Sequence, residues 1–411
     1  MGEWILVWEW VEIAVRWLHV ITAIAWIGSS FYFIALDLGL HRDRNLASGA
    51  DGEEWQVHGG GFYHIQKYLV APAAMPDHLV WFKWESYSTW LSGFALLVLV
   101  YYMGAELYLI DPSVLELTTW QAVGISVASL AFGWVAYNTL CKVFVNANQT
   151  VLMLALFVVL VGMSWFYTQV FSGRAALLHL GAFTATIMSA NVFFIIMPNQ
   201  RIVVADLKAG RKPDPKYGKI AKQRSTHNNY LTLPVIFLML SNHYPMVFAT
   251  EFNWIIASLV FLMGVSIRHW FNTHHARKGN PHWTWALTAA LFVLIAWLSS
   301  YPMRTVPEAE ARLEGAALVY ASAEGFEEVV GIVQGRCSMC HAAEPGWEGI
   351  AWPPKGVVLE TEAQIAHEAK RIYLQSGVSH AMPPGNLSYM EPEERAAIVD
   401  WFRRAGTDDP I

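Results

Sequence analysis

Cys337-Ser338-Met339-Cys340-His341 sets two thiols and an imidazole in one short run. This is the C-x-x-C-H spacing of c-type haem attachment: the thiols add across the haem vinyl groups, and the following histidine comes under the iron as its proximal ligand. Half of a zinc site is the competing reading, but it needs two more Cys or His ligands at suitable spacing. The one remaining cysteine, Cys141, stands alone in an apolar stretch. Helix-like sequence precedes the motif at 326–333. An amphipathic segment follows at 391–404, with Ile398, Trp401 and Phe402 on one face. That is the layout of a small class I cytochrome c. A sixth ligand is expected from His380-Ala381-Met382-Pro383-Pro384-Gly385, with Met382 as the thioether ligand and His380 as the alternative. Methionine opposite histidine raises the potential of the iron, which suits an electron acceptor.

Two polar runs carry a second kind of chemistry. Glu85-Ser86-Tyr87-Ser88-Thr89-Trp90 and Ser225-Thr226-His227-Asn228-Asn229-Tyr230 each open an otherwise apolar stretch. Together they offer a carboxylate, an imidazole, hydroxyls and amides, enough to hold a planar polar heterocycle by its edges. His227 can accept a proton near neutral pH, and Glu85 can orient it or a water. The plainer reading is that Ser, Thr and Asn cap helices while Trp and Tyr line a membrane interface. His58-Gly59-Gly60-Gly61-Phe62-Tyr63 is a third feature, with glycines suited to anion contact or to a simple turn. No Walker or dinucleotide spacing accompanies it.

The elements that position these groups are mostly apolar. The chain is 55% hydrophobic and 15% charged, against about 25% charged in ordinary soluble domains. Its twenty Trp and sixteen Tyr suit a membrane–water boundary. The net charge of -6 argues against a nucleic-acid partner. Crossing a bilayer core of roughly 30 Å takes about 20 helical residues. Eight stretches qualify, near 11–36, 87–110, 119–143, 148–168, 175–198, 227–249, 252–274 and 283–303. The acidic N-terminus (Glu3, Glu9, Glu12) does not read as a cleavable signal peptide. The fold class expected is all-α: a bundle of about eight transmembrane helices over 1–304, then the cytochrome c domain over 305–411.

Positive charge orients the bundle. Loop one carries Arg42, Arg44, Lys67 and Lys83, and loop five carries Arg201, Lys208, Arg211, Lys212, Lys216, Lys219, Lys222 and Arg224. Lys142, Arg277 and Lys278 add to the same side, against Arg174 on the other. The odd loops are therefore expected in the bacterial cytoplasm, and both termini, with the cytochrome, in the periplasm. Covalent haem attachment outside the cytoplasm requires the same placement.

Aligning Leu18-His19 with Leu178-His179 also matches Ala25 with Ala185, Ile27 with Ile187, Ser29 with Ser189 and Phe33 with Phe193. A 4+4 parallel repeat would follow, and it would bring the two polar runs face to face. Intramembrane histidines are costly unless paired or functional. His19 and His179 are thus a candidate ligand pair for a b-type haem between the first and fifth spans, against a hydrogen-bonded packing role for each.

This combination resembles the bacterial membrane-bound urate hydroxylases, or urate oxidases, fused to a C-terminal cytochrome c. The resemblance covers essentially the whole chain. It rests on eight spans followed by Cys337–His341, on the His58–Tyr63 run, on Thr226-His227-Asn228-Asn229-Tyr230 and on Asn242-His243-Tyr244-Pro245. It implies oxidation of urate to 5-hydroxyisourate in purine breakdown, with electrons passed to cytochrome c and on to a respiratory acceptor rather than directly to oxygen. In that reading His227 with Thr226 acts as base or water-orienter, assisted by Glu85. Asn228, Asn229, Tyr87 and His58 contact the purine. The first span, Leu18-His19 through Trp26-Ile27-Gly28, is also similar over a short length to membrane protoporphyrinogen oxidases that hold haem b on a histidine. A site at the cytoplasmic mouth would stand roughly 30 Å of bilayer core from the c haem. The His19/His179 layer would relay electrons across it, unless the substrate binds deeper.

Two other classes compete. A cytochrome-bearing subunit of a respiratory complex requires several intramembrane haem pairs and leaves the polar runs unexplained. A transporter requires helices broken at mid-membrane, and Pro234 supplies one such break.

Overall fold

The computed structural model describes residues 2–42, 45–69, 76–112, 114–145, 148–304, 313, 316–348, 350 and 353–405. Arg44, counted above in loop one, lies outside them. The chain forms two compact units, Met1–Ser299 and Ser300–Ile411.

The first unit is a helical bundle. Its long helices are α1 (Gly2–Gly39), α2 (Trp84–Leu96), α3 (Thr119–Val143), α4 (Gln149–Thr168), α5 (Gly173–Lys208), α6 (Pro215–Ser241), α7 (Asn253–His275) and α8 (Trp283–Arg304). Six helical segments are long and apolar enough to cross a membrane: Trp10–Gly39 of α1, then α3, α4, α5, α7 and Trp283–Ser300 of α8. Trp17, Ile24, Trp120 and Val158 stand more than half exposed on them, as lipid-facing side chains do. Helices α2 and α6, which carry the two polar runs, fall outside that apolar set.

Three sequence expectations need correction. Helix α6 begins at Pro215, well before the apolar stretch, because Asp214 accepts the Lys216 amide at 2.9 Å as N-cap and Pro215 fills the first turn. The Lys216 amide and ammonium together lower the Asp214 carboxyl pKa. Lys216, Lys219, Lys222 and Arg224 are therefore helical rather than loop residues, and Arg224 is buried. The stretch 87–110 is not one continuous span: α2 passes into a π-helical turn, Leu97–Tyr102, then breaks before a short helix, Ala105–Tyr108. The all-α class misses a hairpin, β1 (Ala50–His58) and β2 (Gly61–Tyr68), paired antiparallel with His58 opposite Gly61. Gly59 and Gly60 both have positive φ (57° and 80°), as a two-residue hairpin turn requires. The glycine run is a turn.

The hairpin is tied to the bundle. Asp37 at the end of α1 pairs with Lys67 of β2 and, at 2.7 Å, with Lys222 of α6. Arg277, just past α7, reaches Glu54 at 3.7 Å. Burial, with Lys222 close by, pushes the Lys67 amine below its ordinary pKa.

Inside the bundle α5 and α6 pack closely, and α7 lies against α6. A Cβ on Gly264 of α7 would stand 2.5 Å from the Pro234 ring of α6, so only glycine fits there. Helix α5 contains its own π-turn, Asn191–Ile196, a distortion found often at functional sites.

The second unit is also helical in its described residues. Helices α9 (Ala316–Ser322), α10 (Phe326–Arg336), α11 (Glu362–His367) and α12 (Pro392–Ala405) surround a core that includes Phe326, Val329, Val333, Ile365, Ile372, Ile398 and Trp401. Trp401 is 1% exposed, and its indole N–H donates to the Tyr320 carbonyl at 3.0 Å.

Candidate functional site

Both polar runs meet one turn of α5. Ser86 of α2 lies 3.1 Å from the Ser189 hydroxyl, and Asn228 of α6 donates to the Met188 carbonyl at 2.9 Å. Asn191 then donates to the Asn228 side-chain oxygen at 2.9 Å and to the Tyr137 hydroxyl of α3 at 3.1 Å. The Tyr137 hydroxyl stands 2.8 Å from His227 Nδ1. Arg224, one turn before Asn228, donates to Asn138 at 3.0 Å and to Asn191 at 3.4 Å, with its guanidinium 4.9 Å from the Tyr137 ring centre.

Buried polar groups in native proteins are nearly always paired, and several of the exceptions lie on α2 and α6, with others elsewhere, on Tyr101, Arg174 and Trp270 among them. His227 Nε2, Arg224 Nε, Asn229 Nδ2 and one Glu85 oxygen are buried with no hydrogen-bond partner. His227, Arg224 and Asn229 are at most 3% exposed. Such atoms offer their hydrogen bonds to a ligand.

Asn228 and Asn229, both expected to contact the purine, belong to different hydrogen-bonded groups. Successive helical residues point about 100° apart, and Asn229 belongs to a separate group with α7. Its oxygen accepts from Arg268 at 3.3 Å and from Asn272 at 2.9 Å, and Arg268 stacks 4.0 Å from the Phe31 ring centre of α1. The Asn228 amide is engaged at both ends. Among the described residues neither Arg224 nor Arg268 has a carboxylate partner.

Other expected site residues lie elsewhere. The Thr226 hydroxyl donates to the Lys222 carbonyl of its own helix at 2.9 Å. His58 is exposed at the hairpin tip. Tyr87 packs edge-on against Phe193 of α5. Tyr137, Asn138, Asn191, Arg224 and Arg268 are the groups the sequence reading missed. An arginine inside an apolar span, as Arg268 is, signals function by its cost alone.

His179 does not fit a haem iron. It is fully buried, with Nδ1 2.8 Å from the Ala175 carbonyl and Nε2 2.8 Å from the Ser126 hydroxyl, among Tyr101, Tyr167 and Phe171. His19 instead holds α2, with Nδ1 3.0 Å from the Thr89 carbonyl, and Gly93 leaves room for its ring. The two positions matched in the repeat alignment thus have unlike surroundings.

In the second unit Cys337, Cys340 and His341 share one helical turn, and both thiols are free. Burial pushes the Cys337 thiol pKa up to about 12, so it stays protonated near neutral pH. His341 Nδ1 lies 2.9 Å from the Val357 carbonyl. Donation there puts the proton on Nδ1 and leaves the Nε2 lone pair for a metal. These residues fit a covalently attached haem. Met382 is half-buried, while His380 is exposed.

Residues 5–299 match the urate oxidase N-terminal family. No curated protein and no solved structure matches the chain. The match takes in nearly all of the bundle and most of the sequence, and the chain, with six helical segments long and apolar enough to cross a membrane, therefore belongs to the urate oxidase N-terminal family.

Proposed function

We propose that the bundle oxidises urate to 5-hydroxyisourate with water, and that the electrons pass to a c-type haem on Cys337 and Cys340, ligated by His341 and Met382. The overall balance is urate plus water giving 5-hydroxyisourate, two protons and two electrons. The observation that carries this reading is the unpartnered, buried His227 Nε2 beside Arg224, in a chain of this family.

Urate is a monoanion at neutral pH. A buried cation without a carboxylate is costly, and an anionic ligand offsets that cost. Arg224 supports such a ligand next to His227, and Arg268 adds a second buried positive charge. As base, His227 holds its proton on Nδ1, donating to the Tyr137 oxygen. Its Nε2 lone pair is then free to take a proton from water or from the purine. Asn191 orders Tyr137 and Arg224 together, and the unpartnered Glu85 oxygen is available to a water.

Haem c, when bound, accepts electrons singly, so two transfers complete each turnover. With eight spans, counting the polar α2 and α6, the basic ends face the cytoplasm of a bacterial inner membrane and the second unit lies in the periplasm. The electrons leave to a respiratory acceptor.

The test is anaerobic. Urate added to the oxidised full-length protein in detergent is expected to bring up the reduced c-type absorption bands, with a pyridine haemochrome assay counting the haem. A fully haem-loaded protein that urate does not reduce would overturn the reading.

A further inference from the structure

The loop that carries Met382 is held from beneath by one buried side chain. Arg395 of α12 is 7% exposed. Its Nη1 donates to the Ser376 carbonyl at 2.6 Å and to the Met382 carbonyl at 2.9 Å, and its Nη2 to the Asn386 side-chain oxygen at 3.1 Å. These acceptors lie before, at and after Met382. Asn386 in turn closes the loop on itself, accepting the Met390 amide and donating to the Met390 carbonyl, both at 3.1 Å. The Met382 amide donates to the Gln375 carbonyl at 2.8 Å.

A second arginine links this loop to the thiol motif. Arg336, the residue before Cys337, donates to the Ser388 carbonyl at 2.9 Å and to both oxygens of Glu394 at 3.0 Å. Glu394 thereby satisfies Arg336, while Arg395 beside it has only neutral acceptors among the described residues. A planar guanidinium suits this task, because its fork fixes several oxygens at once.

We propose that Arg395 is the positioning residue for the axial methionine: it sets the Met382 backbone so that the sulfur meets the iron, and its buried charge raises the potential. This rests on the haem reading above. Hydrogen bonds at both the amide and the carbonyl of Met382 fix its main chain, which narrows the positions its sulfur can take. A cation held at the ligand's own carbonyl also disfavours the ferric state, which carries one more positive charge than the ferrous.

The experiment uses the full-length haem-loaded protein and its R395Q and R395K variants, matched for haem by pyridine haemochrome. The readouts are the near-infrared sulfur-to-iron charge-transfer band of the oxidised protein and the midpoint potential. R395Q is expected to lose most of the band and to shift the potential downward. R395K keeps the charge without the fork, so its band weakens while its potential stays nearer wild type. N386A removes one acceptor and gives a smaller shift in the same direction. It decides the matter if R395Q does not accumulate. A band and potential unchanged in R395Q, or in N386A when that variant stands alone, would overturn the proposal. So would a wild-type protein that carries covalent haem but shows no such band, which would remove Met382 as a ligand and leave the covalent attachment and urate oxidation standing. A wild type without covalent haem would overturn both.

Discussion

His179 and His227 are both buried histidines on long helices of the same bundle, yet their surroundings ask opposite things of them. His179 spends both nitrogens on the protein, one on the Ala175 carbonyl and one on the Ser126 hydroxyl, inside a cage of aromatic rings. His227 spends one, on Tyr137, and keeps Nε2 unpartnered beside an arginine that has no carboxylate partner among the described residues. Burial alone therefore does not separate a functional histidine from a structural one. What separates these two is the free nitrogen, because a satisfied imidazole has nothing left to offer a ligand.

The largest expected effect comes from H227Q. Loss of a general base typically costs 10²- to 10⁴-fold, so urate-driven haem reduction should fall by at least about a hundredfold at unchanged haem content. A wild-type rate in this variant would erase the distinction. The mirror change, H179A, should act on stability instead. It removes the imidazole's two hydrogen bonds, to the Ala175 carbonyl and to Ser126, and leaves a cavity among aromatic rings, costing on the order of 3 kcal/mol. Thermal unfolding in detergent should show the loss, while turnover per folded molecule stays at the wild-type value. A selective loss of turnover in H179A would reinstate it as a redox or proton-transfer group.

Third comes R224Q. Removing a charged hydrogen-bonding partner is worth about 1.5–3 kcal/mol, which corresponds to a rise in KM for urate of roughly ten- to a hundredfold. If Arg224 serves only the packing of α3 against α6, KM should hold while the melting temperature drops.

Much of this was legible in the sequence, for identifiable reasons. The apolar helices announce themselves by length, and α3 runs over the residues expected of it, Thr119–Val143. Helix α6 was mis-bounded because hydropathy ignores a polar helix start, although Asp214-Pro215 is a cap signal in plain view. That error put Arg224 among the loop charges and hid the buried cation of the site. The three glycines leave anion contact and a simple turn both open, and the hairpin follows only when Gly-Gly is weighed together with the alternating runs on either side, which is a turn signal. Tyr137 and Asn191 were not legible. A tyrosine in an apolar helix reads as packing, and only the folded chain brings α3, α5 and α6 around His227.

The smallest effect tests the comparison at the hydroxyls that hold the two rings. Tyr137 gives His227 Nδ1 its partner, and Ser126 gives His179 Nε2 its own. In Y137F the ring stays under Arg224 but the oxygen is gone, so His227 Nδ1 loses its partner and Asn191 loses an acceptor. A neutral hydrogen bond is worth about 0.5–1.5 kcal/mol. Turnover should therefore fall by roughly two- to tenfold, with little change in KM. S126A removes a hydroxyl of the same size from the other histidine and also releases Tyr102, whose hydroxyl lies 2.7 Å from it. Its cost should appear in the melting temperature, with kcat and KM unchanged. If both variants lose only stability, Tyr137 is a packing group like Ser126, and the proton inventory of the site has to be built on Glu85 instead.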